Sequence, residues 1–497
     1  MAYIKSFPDQ NYVVPPRLTD LFSEDHVCFL IKQIADGLDY SEFDIKYSGV
    51  GHPAYHPRIC LKLLMLANID GIKSSRRIAK NAQENVVYIY LAEKAKPDFR
   101  TLCNFRKDNP DLVREADLQL KKFAIAHGLI DLSHLMIDGT SIKADANNDR
   151  ILDKETIEKL KRYIDRQIQE GIKVDEEEDK LYGDRSFHEL PEDFNDREKR
   201  RPIVRKIVDE INKSIKENKK GNIKKIKKSL ENVETAMQEQ GLKKYSFTDP
   251  DSRFMNNKKG KFELCYNAQV MVDKNGIIVC DDVSQCAVDR NELVPAVNTV
   301  EKNFGKLKQG TKLLADGGYD NGEAMEELDK RGFDLFIPGK SKAKGKYNKA
   351  NFAYDEEKDI YTCPENKILK LHGTYFHKKR QEHLEIYKCQ DCRTCPHQKT
   401  CCKSANYRTV IALPQDKLFQ RIKKKLQTPD GKAIYRLRKQ TVETAFADLK
   451  HNKKFRNFLL RGLEKVKIEF NLACIAHNLV KINNLIKTKG ISLANTC

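Results

Sequence analysis

Three acidic residues stand in settings that suit metal-assisted chemistry. Asp138 and Asp316 each end a short apolar run and are each followed by glycine, in LMIDG and LLADGG. Such a run predicts a strand, so both aspartates are expected at a sheet edge, where open α/β sheets bind ligands. Glu443 lies in a helical pattern, RLRKQTVETAFADLK. Carboxylates in this arrangement can hold two divalent metals for phosphoryl transfer.

Basic residues surround Glu443 on the same predicted helix. On a continuous helix Arg436, Lys439 and Lys450 share its stripe. Arg438 would point about 140° away from Glu443. We expect the cations of such a stripe to bind phosphate groups. The other candidate phosphate contacts in this segment are Lys453, Lys454, Arg456 and Arg461.

The sequence resembles the DDE transposases of bacterial insertion sequences. The resemblance lies in IDGT around Asp138, in LADGGYDNGE around Asp316, and in the run from Arg438 to Leu479, RKQTVETAFADLKHNKKFRNFLLRGLEKVKIEFNLACIAHNL. It extends to HPRICLKLLMLANIDGIKSSRRIA, which is similar to the helical domain preceding the catalytic core in that family. The resemblance therefore touches most of the chain.

A late signature of that family combines Tyr, Arg, Glu and Lys at fixed spacing. Its counterparts here are Tyr435, Arg438, Glu443 and Lys450. The spacing from glutamate to lysine is intact, but one extra residue separates Arg438 from Glu443. Either Arg438 or Lys439 therefore takes the part of the arginine.

The resemblance implies a fold, a reaction and partners. The fold is α/β, an RNase H-like mixed sheet with flanking helices. Asp138, Asp316 and Glu443 are the implied catalytic residues, holding two Mg²⁺ or Mn²⁺ ions. The implied reaction is cleavage of the element's ends and their transfer into target DNA. The implied partner is double-stranded DNA, both terminal repeats and target, bound by a homodimer or higher oligomer.

Charge supports a polyanionic partner independently of the resemblance. The 497-residue chain carries a formal net charge of +19. Residues 411–490 hold 19 Lys and Arg against six Asp and Glu, so basic charge is concentrated beside Glu443, as expected for a phosphate-backbone footprint. No apolar run of membrane-spanning length or secretory leader is visible. We expect a cytoplasmic, nucleoid-associated protein without a membrane partner.

The N-terminal region, 1–130, is predicted to be helical and DNA-binding. Pro57 suits the start of a helix, and the Asp70-Gly71 turn is followed by a second helix carrying Arg76 and Arg77. Helix, turn and helix in this order are compatible with a DNA-reading motif. The alternative is a small bundle that only packs on the core.

Two insertions are predicted to interrupt the catalytic core. The core comprises 131–150, 251–340 and 407–490, and includes a helix started by an Asp289/Glu292 capping box. Residues 151–250 contain 47 charged residues and apolar positions at heptad spacing, which predicts a helical hairpin. Residues 341–406 form a Cys-rich insertion.

The Cys-rich insertion has the spacing of a zinc site. Cys389, Cys392 and Cys395 are separated by two residues each in KCQDCRTCP, so their thiolates can converge on one tetrahedral Zn²⁺. Cys363 or Cys401 would complete the ligands, with His397 as a substitute. The alternative is a set of redox-active or free thiols.

Two other functions are compatible with the sequence. A catalytically inactive DNA-binding regulator needs the basic segment but not three acids that meet. A metal-dependent nuclease needs the acids but performs no strand transfer.

Overall fold

The computed structural model describes residues 17–46, 54–147, 150–177, 202–217, 220–256, 260–339, 345–355, 357–378, 382–402 and 407–491. These residues form a mixed α/β structure, which confirms the predicted fold class. None of the described helices combines the length and apolarity needed to cross a bilayer.

Seven helices form the described part of the N-terminal region, which confirms that it is helical. They are α1 Cys28–Asp36, α2 Ser41–Lys46, α3 Pro57–Ile69, α4 Ser75–Glu84, α5 Val86–Leu91, α6 Phe99–Asp108 and α7 Pro110–Ala126. Gly71 ends α3 with a φ of +65°, and the amide of Ile72 donates to the carbonyl of Ala67 at 2.7 Å. This closure is typical of a helix C-terminus, and it turns the chain into α4, on which Arg76 and Arg77 are exposed.

A six-stranded mixed sheet forms the core. Its strands are β1 His134–Lys143, β4 Arg253–Asn256, β5 Phe262–Val272, β6 Ile278–Ser284, β7 Lys312–Leu314 and β8 Asp334–Phe336. β5 is antiparallel to β1, and both β4 and β6 pair with β5. On the other side β7 and β8 continue the sheet in parallel with β1. The helices α11 Leu293–Phe304 and α12 Gly322–Lys330 flank it.

The register of β1 and β7 brings the two aspartates together. Met136 lies opposite Leu314 in this parallel pair. Asp138 and Asp316 each follow by two residues, so they come level with each other where β7 ends. The parallel pairing therefore positions two of the three predicted catalytic acids.

Four helices complete the core, and a break separates the second from the third. They are α14 Pro414–Gln427, α15 Pro429–Gln440, α16 Val442–Ala447 and α17 Leu463–Lys489. Thr441 stands between α15 and α16 with φ −115° and ψ −79°, and a π-helical turn, Asp448–Asn452, follows α16. α16 packs against β1 and β5, with Val442 and Phe446 in the core.

α17 joins the N-terminal helices to the sheet. It packs against α3 and α7 on one side and against β6 on the other. Leu472 and Ile475 belong to the N-terminal core cluster, whereas Phe470 and Cys474 belong to the core beneath the sheet. The N-terminal region is therefore anchored to the core by one buried helix.

The charged insertion builds a core of its own. The short strands β2 Ile151–Asp153 and β3 Lys244–Ser246 pair with each other, and between them run α8 Lys154–Glu177, α9 Pro202–Lys216 and α10 Lys220–Glu239. Three described helices thus stand where the pattern predicted a hairpin. The predicted heptad positions do form the contact, since Leu230, Val233 and Met237 are buried with Ile211.

The Cys-rich insertion contains a separate antiparallel sheet. Its strands are β9 Ala353–Asp355, β10 Ile360–Thr362, β11 Ile368–His377, β12 Glu382–Cys389 and β13 Thr409–Ala412. A short helix, α13 Gln398–Cys401, lies beside it. Because β13 pairs with β12, this sheet extends past residue 406, and α14 begins directly after it.

A buried ion network ties α7 to the core. Lys121 donates to Asp117 at 2.5 Å and to Asp281 of β6 at 3.1 Å, and Asn471 of α17 donates to the other oxygen of Asp281 at 2.9 Å. Burial raises the pKa of Asp117 to about 6. A charge in such a place is stable only while its partners are present.

Replacing Lys121 should therefore destabilise the folded protein. Lys121→Ala leaves two carboxylates buried together, and we expect a loss of about 3–5 kcal/mol in the free energy of unfolding, measured by urea denaturation. Lys122→Ala is the matched control, since Lys122 is the exposed neighbour, and it should change stability by less than about 0.5 kcal/mol. Equal effects of the two substitutions would contradict the structural role of the network.

Candidate active site

Asp138, Asp316 and Glu443 converge on the guanidinium group of Arg438. Nη2 of Arg438 lies 3.8 Å from Asp138 Oδ1 and 3.9 Å from Asp316 Oδ2. Nη1 lies 3.4 Å from Glu443 Oε1. The structure therefore gathers three acids from β1, the end of β7 and α16 around one cation.

The site has a buried floor and an open rim. The side chains of Arg438 and Asp138 are only 10% and 11% exposed, whereas those of Asp316 and Glu443 are 43% and 44% exposed. Asp138 and Arg438 thus lie at the base, and the other two carboxylates face solvent. An extended substrate can approach such a site from the side of Asp316 and Glu443.

Asp316 has a local role as well as a place in the site. Its Oδ1 accepts a hydrogen bond from the amide of Gly318 at 2.6 Å, which caps the 3-10 turn Gly317–Tyr319. Its Oδ2 is the oxygen nearest to Arg438. The cap fixes the direction of the carboxylate without using the oxygen that faces the site.

The prediction that Arg436 and Lys439 share a continuous helix face with Glu443 is wrong. The break at Thr441 separates α15, which carries Arg438, from α16, which carries Glu443. A continuous helix would turn Arg438 away from Glu443, but the break brings the two side chains together. Lys439, which the stripe would aim at the site, is exposed. Arg438, and not Lys439, is the residue that contacts the acids.

Lys450 reaches the same region from the π-helical turn. Its Nζ lies 2.5 Å from the hydroxyl oxygen of Thr140. Thr140 follows Asp138 by two residues in β1, so the two side chains share a face of the sheet. Thr140 was not predicted from the sequence. The alternation of side chains along a strand, which repeats every two residues, is the signal that points to it.

Tyr435 completes the surroundings of the acids. Burial raises its pKa above the usual value, and the nearby charges of Asp316, Glu443 and Asp138 raise it further, against the opposing effect of Arg438. The phenol therefore stays neutral at physiological pH and available as a hydrogen-bond donor.

The predicted DNA contacts differ in how far they face solvent. Lys453 is buried, with its Nζ 3.4 Å from the carbonyl of Ile69, and burial lowers its pKa. It is therefore removed from the DNA-contacting set. Arg461 is exposed and bonds to Asp145 at 2.8 Å. The remaining basic side chains are exposed, namely Arg76, Arg77, Arg436, Lys439, Lys454 and Arg456.

Six cysteines line one small cavity in the Cys-rich insertion. They are Cys363, Cys389, Cys392, Cys395, Cys401 and Cys402, of which only Cys402 was not predicted as a zinc ligand. The amides of Glu365 and Lys367 donate to Cys363 Sγ at 3.4 and 3.2 Å, and that of Arg408 donates to Cys392 Sγ at 3.3 Å. Backbone donors of this kind stabilise thiolates. His397 lies outside the cavity lining, with its Nε2 3.8 Å from Glu365.

Neither the acid cluster nor the cysteine cluster has the coordination geometry of a metal site. Among the described residues, no three His, Cys, Asp or Glu side chains are arranged to hold a metal ion. The acid cluster nevertheless has a cationic stand-in, because the Arg438 guanidinium contacts all three carboxylates. Carboxylate oxygens are the donors that Mg²⁺ prefers, so these residues fit the ions that the family resemblance implies.

Two family models match the chain, and both describe transposase domains. Residues 362–483 match a transposase DDE domain, and residues 16–108 match a transposase domain designated DUF772. The first match includes Glu443 and Arg438, and the second includes α3 and α4. A search of curated proteins finds no match.

The two matched regions are similar to transposase domains. More narrowly, they support a DDE-type transposase of an insertion sequence. This is the family that the sequence resemblance predicted.

Arg438 and Lys439 offer a direct test of the site geometry. Arg438→Ala should slow Mg²⁺-dependent cleavage of a DNA end by about 10²-fold or more, because a preorganised cation at a charged reaction centre is lost. Lys439→Ala should slow it less than about fivefold, since exposed charges contribute little individually. Single-turnover cleavage rates measure both. A larger defect for Lys439→Ala would contradict the geometry described above.

Proposed function

We propose that the protein is a DNA transposase that cleaves the ends of an insertion sequence and joins them to target DNA by two-metal phosphoryl transfer. The observation that carries the proposal is the convergence of Asp138, Asp316 and Glu443 on one guanidinium. A protein that only binds DNA has no need to gather three carboxylates, because their repulsion is unfavourable without a cation.

In this proposal Asp138, Asp316 and Glu443 hold two Mg²⁺ or Mn²⁺ ions. When bound, the ions activate a water molecule or a DNA 3′-hydroxyl as nucleophile and stabilise the leaving 3′-oxygen. Asp138 supplies the buried end of the site, and Asp316 and Glu443 supply the open end through which DNA enters. The cap from Gly318 holds Asp316 in place, which reduces the reorganisation needed for binding.

Arg438 and Lys450 are proposed to orient the scissile phosphate. Arg438 neutralises the acids before the divalent ions bind, and its guanidinium then turns to a phosphate, which it can bind through two N–H groups. Lys450 approaches from the π-helical turn, where it bonds to Thr140 of β1, and adds a second cation. Two fixed cations hold the phosphate in line with the nucleophile.

The remaining basic residues are proposed to hold the DNA backbone. Arg76 and Arg77 on α4 would contact the terminal repeat, with α3, the Gly71 turn and α4 acting as the DNA-reading motif. The exposed bases near the site would follow the strand being cut. We propose the four-part domain division given above, with the end of the Cys-rich insertion moved from residue 406 to the end of β13, a homodimer or higher oligomer on the two ends, and a nucleoid-associated, cytoplasmic location.

We also propose that the six-cysteine cavity binds one structural Zn²⁺. The cavity encloses about 20 Å³, and Cys363 and Cys392 already accept backbone hydrogen bonds. Burial, together with the neighbouring thiols, raises the pKa of Cys389 and Cys402 to about 12 each. Protonated thiols that lie close together are converted to thiolates when a cation such as Zn²⁺ binds them, because the cation stabilises the negative charge on sulfur.

A nuclease that lacks strand transfer is the second candidate function. It would use the same three acids for hydrolysis alone. The two functions differ in their product, because only a transposase joins a pre-cleaved element end to a target duplex.

Removing one acid at a time tests the proposed catalysis. Asp138→Asn, Asp316→Asn and Glu443→Gln should each reduce both cleavage and strand transfer by at least about 10³-fold, because each removes a metal-binding charge. Binding of the element's terminal repeat, measured by gel shift, should change little. Joined product from the wild type with a pre-cleaved end supports transposition, and hydrolysis alone would favour the nuclease. Near wild-type cleavage by any variant would remove that residue from the site.

Metal analysis tests the zinc proposal. The purified full chain should contain one zinc per molecule, and Cys392→Ser should lose it and unfold at a lower temperature, since zinc binding contributes folding free energy. Cys286→Ser is the control, because Cys286 is exposed and lies outside the cavity. Zinc-free wild-type protein, or a Cys392→Ser protein with unchanged zinc and melting temperature, would contradict the site.

A further inference from the structure

Asp289 lies between the two glycines that follow Asp138 and Asp316. A Cβ atom on Gly139 would come 2.4 Å from Asp289 Oδ1, and one on Gly318 would come 3.4 Å from Asp289 Oδ2. The first contact is too close for any side chain at position 139. The glycine at position 139 therefore leaves the space that this carboxylate occupies. This space lies on the face of β1 opposite to the side chain of Asp138, so the two carboxylates meet at the edge of β1 that β7 leaves open beyond Leu314.

Two amides from β5 fix the orientation of Asp289. Asn267 Nδ2 and Gln269 Nε2 donate to its Oδ1 at 2.7 and 2.6 Å. The hydroxyl of Tyr319 donates to Oε1 of Gln269, so the amide of Gln269 has to present its N–H to Asp289. Both amide donors therefore hold Oδ1, and Oδ2 is turned to the side of Gly318 and Asp316.

These contacts differ from the capping role that the sequence pattern predicted for Asp289. A capping box would place its side chain on the first turn of α11. Instead, α11 begins at Leu293 with Glu292 at its N-cap, and Asp289 faces the sheet.

The same neighbourhood joins Asp289 electrostatically to the active site. Burial raises the pKa of Tyr319, and the charges of Asp289, Asp138 and Asp316 raise it further, in that order. The charges of all three carboxylates thus act on one buried phenol.

Other acids near the sheet are paired elsewhere. Asp281 bonds to Lys121 and Asn471, and Asp282 bonds to Lys467 at 2.9 Å. Both residues belong to β6. Their carboxylates are bonded to these partners, whereas Oδ2 of Asp289 faces Gly318.

We propose that Asp289 is a fourth acidic residue of the active site, whose Oδ2 binds the divalent cation held by Asp138 and Asp316. This inference rests on the proposed function. The amides on Oδ1 orient the carboxylate in the way that outer hydrogen bonds orient metal ligands in general. Asp289 would add a fourth negative charge to the site and so raise its affinity for divalent cations.

Mn²⁺ binding to the full chain tests the proposal without relying on activity. Asp289→Asn keeps an oxygen for Asn267 and Gln269 but replaces Oδ2 with an amide nitrogen, which cannot bind a cation. Calorimetric titration with Mn²⁺ should show a loss of affinity of about 10- to 100-fold, with an unchanged melting temperature in the absence of metal. Asp282→Asn is the matched control, since it removes an acid from the same segment that is paired with Lys467, and it should leave the affinity unchanged.

The possible outcomes separate this inference from the proposed function. Wild-type affinity in Asp289→Asn contradicts the role of Asp289 and leaves the proposed function standing, even if that variant melts at a lower temperature. An equal loss in Asp282→Asn also contradicts it, because a general charge effect would then explain both. Absence of Mn²⁺ binding by the wild type contradicts both the two-metal site and the assignment of Asp289.

Discussion

The candidate site depends on the balance between three carboxylates and one guanidinium. Asp138, Asp316 and Glu443 approach Arg438 within 3.8, 3.9 and 3.4 Å. Like charges at such proximity are unfavourable unless a cation lies between them. Two features of the core hold this arrangement. The parallel register of β1 and β7 aligns Asp138 with Asp316, and the break at Thr441 places Arg438 and Glu443 on different helices.

The packing of the N-terminal helices against the sheet depends on one long helix, α17. α17 is buried between the N-terminal helices and β6, and the network of Lys121, Asp117 and Asp281 crosses the same junction. A helix that is apolar on several sides can bury both faces only inside a larger structure. The N-terminal region therefore has a fixed place relative to the six-stranded sheet.

The sequence predicted part of the strand geometry, because strands depend on local patterns. An apolar run followed by Asp-Gly was sufficient to place Asp138 and Asp316 on neighbouring strands, and heptad spacing was sufficient to predict the buried face of the charged insertion. The prediction that Asp138 ends its strand was wrong, because β1 continues past it to Lys143 in its pairing with β5, whereas Asp316 does follow the end of β7. The position of Arg438 was not predictable in this way, since a helical wheel assumes a continuous helix and Thr441 interrupts it. Asp289 was missed for a related reason. Its spacing to Glu292 satisfies a capping box, and only the sheet register shows that Asn267 and Gln269 bind it instead.

A crystal structure of the full chain bound to Mn²⁺ and a DNA end, with the ions located by their anomalous scattering, would show directly whether the three acids hold metal. We expect anomalous peaks bonded to Asp138, Asp316 and Glu443, with the Arg438 guanidinium moved from the carboxylates to a phosphate of the DNA. Peaks elsewhere on the chain, or an Arg438 that still contacts all three carboxylates while DNA is bound, would contradict it.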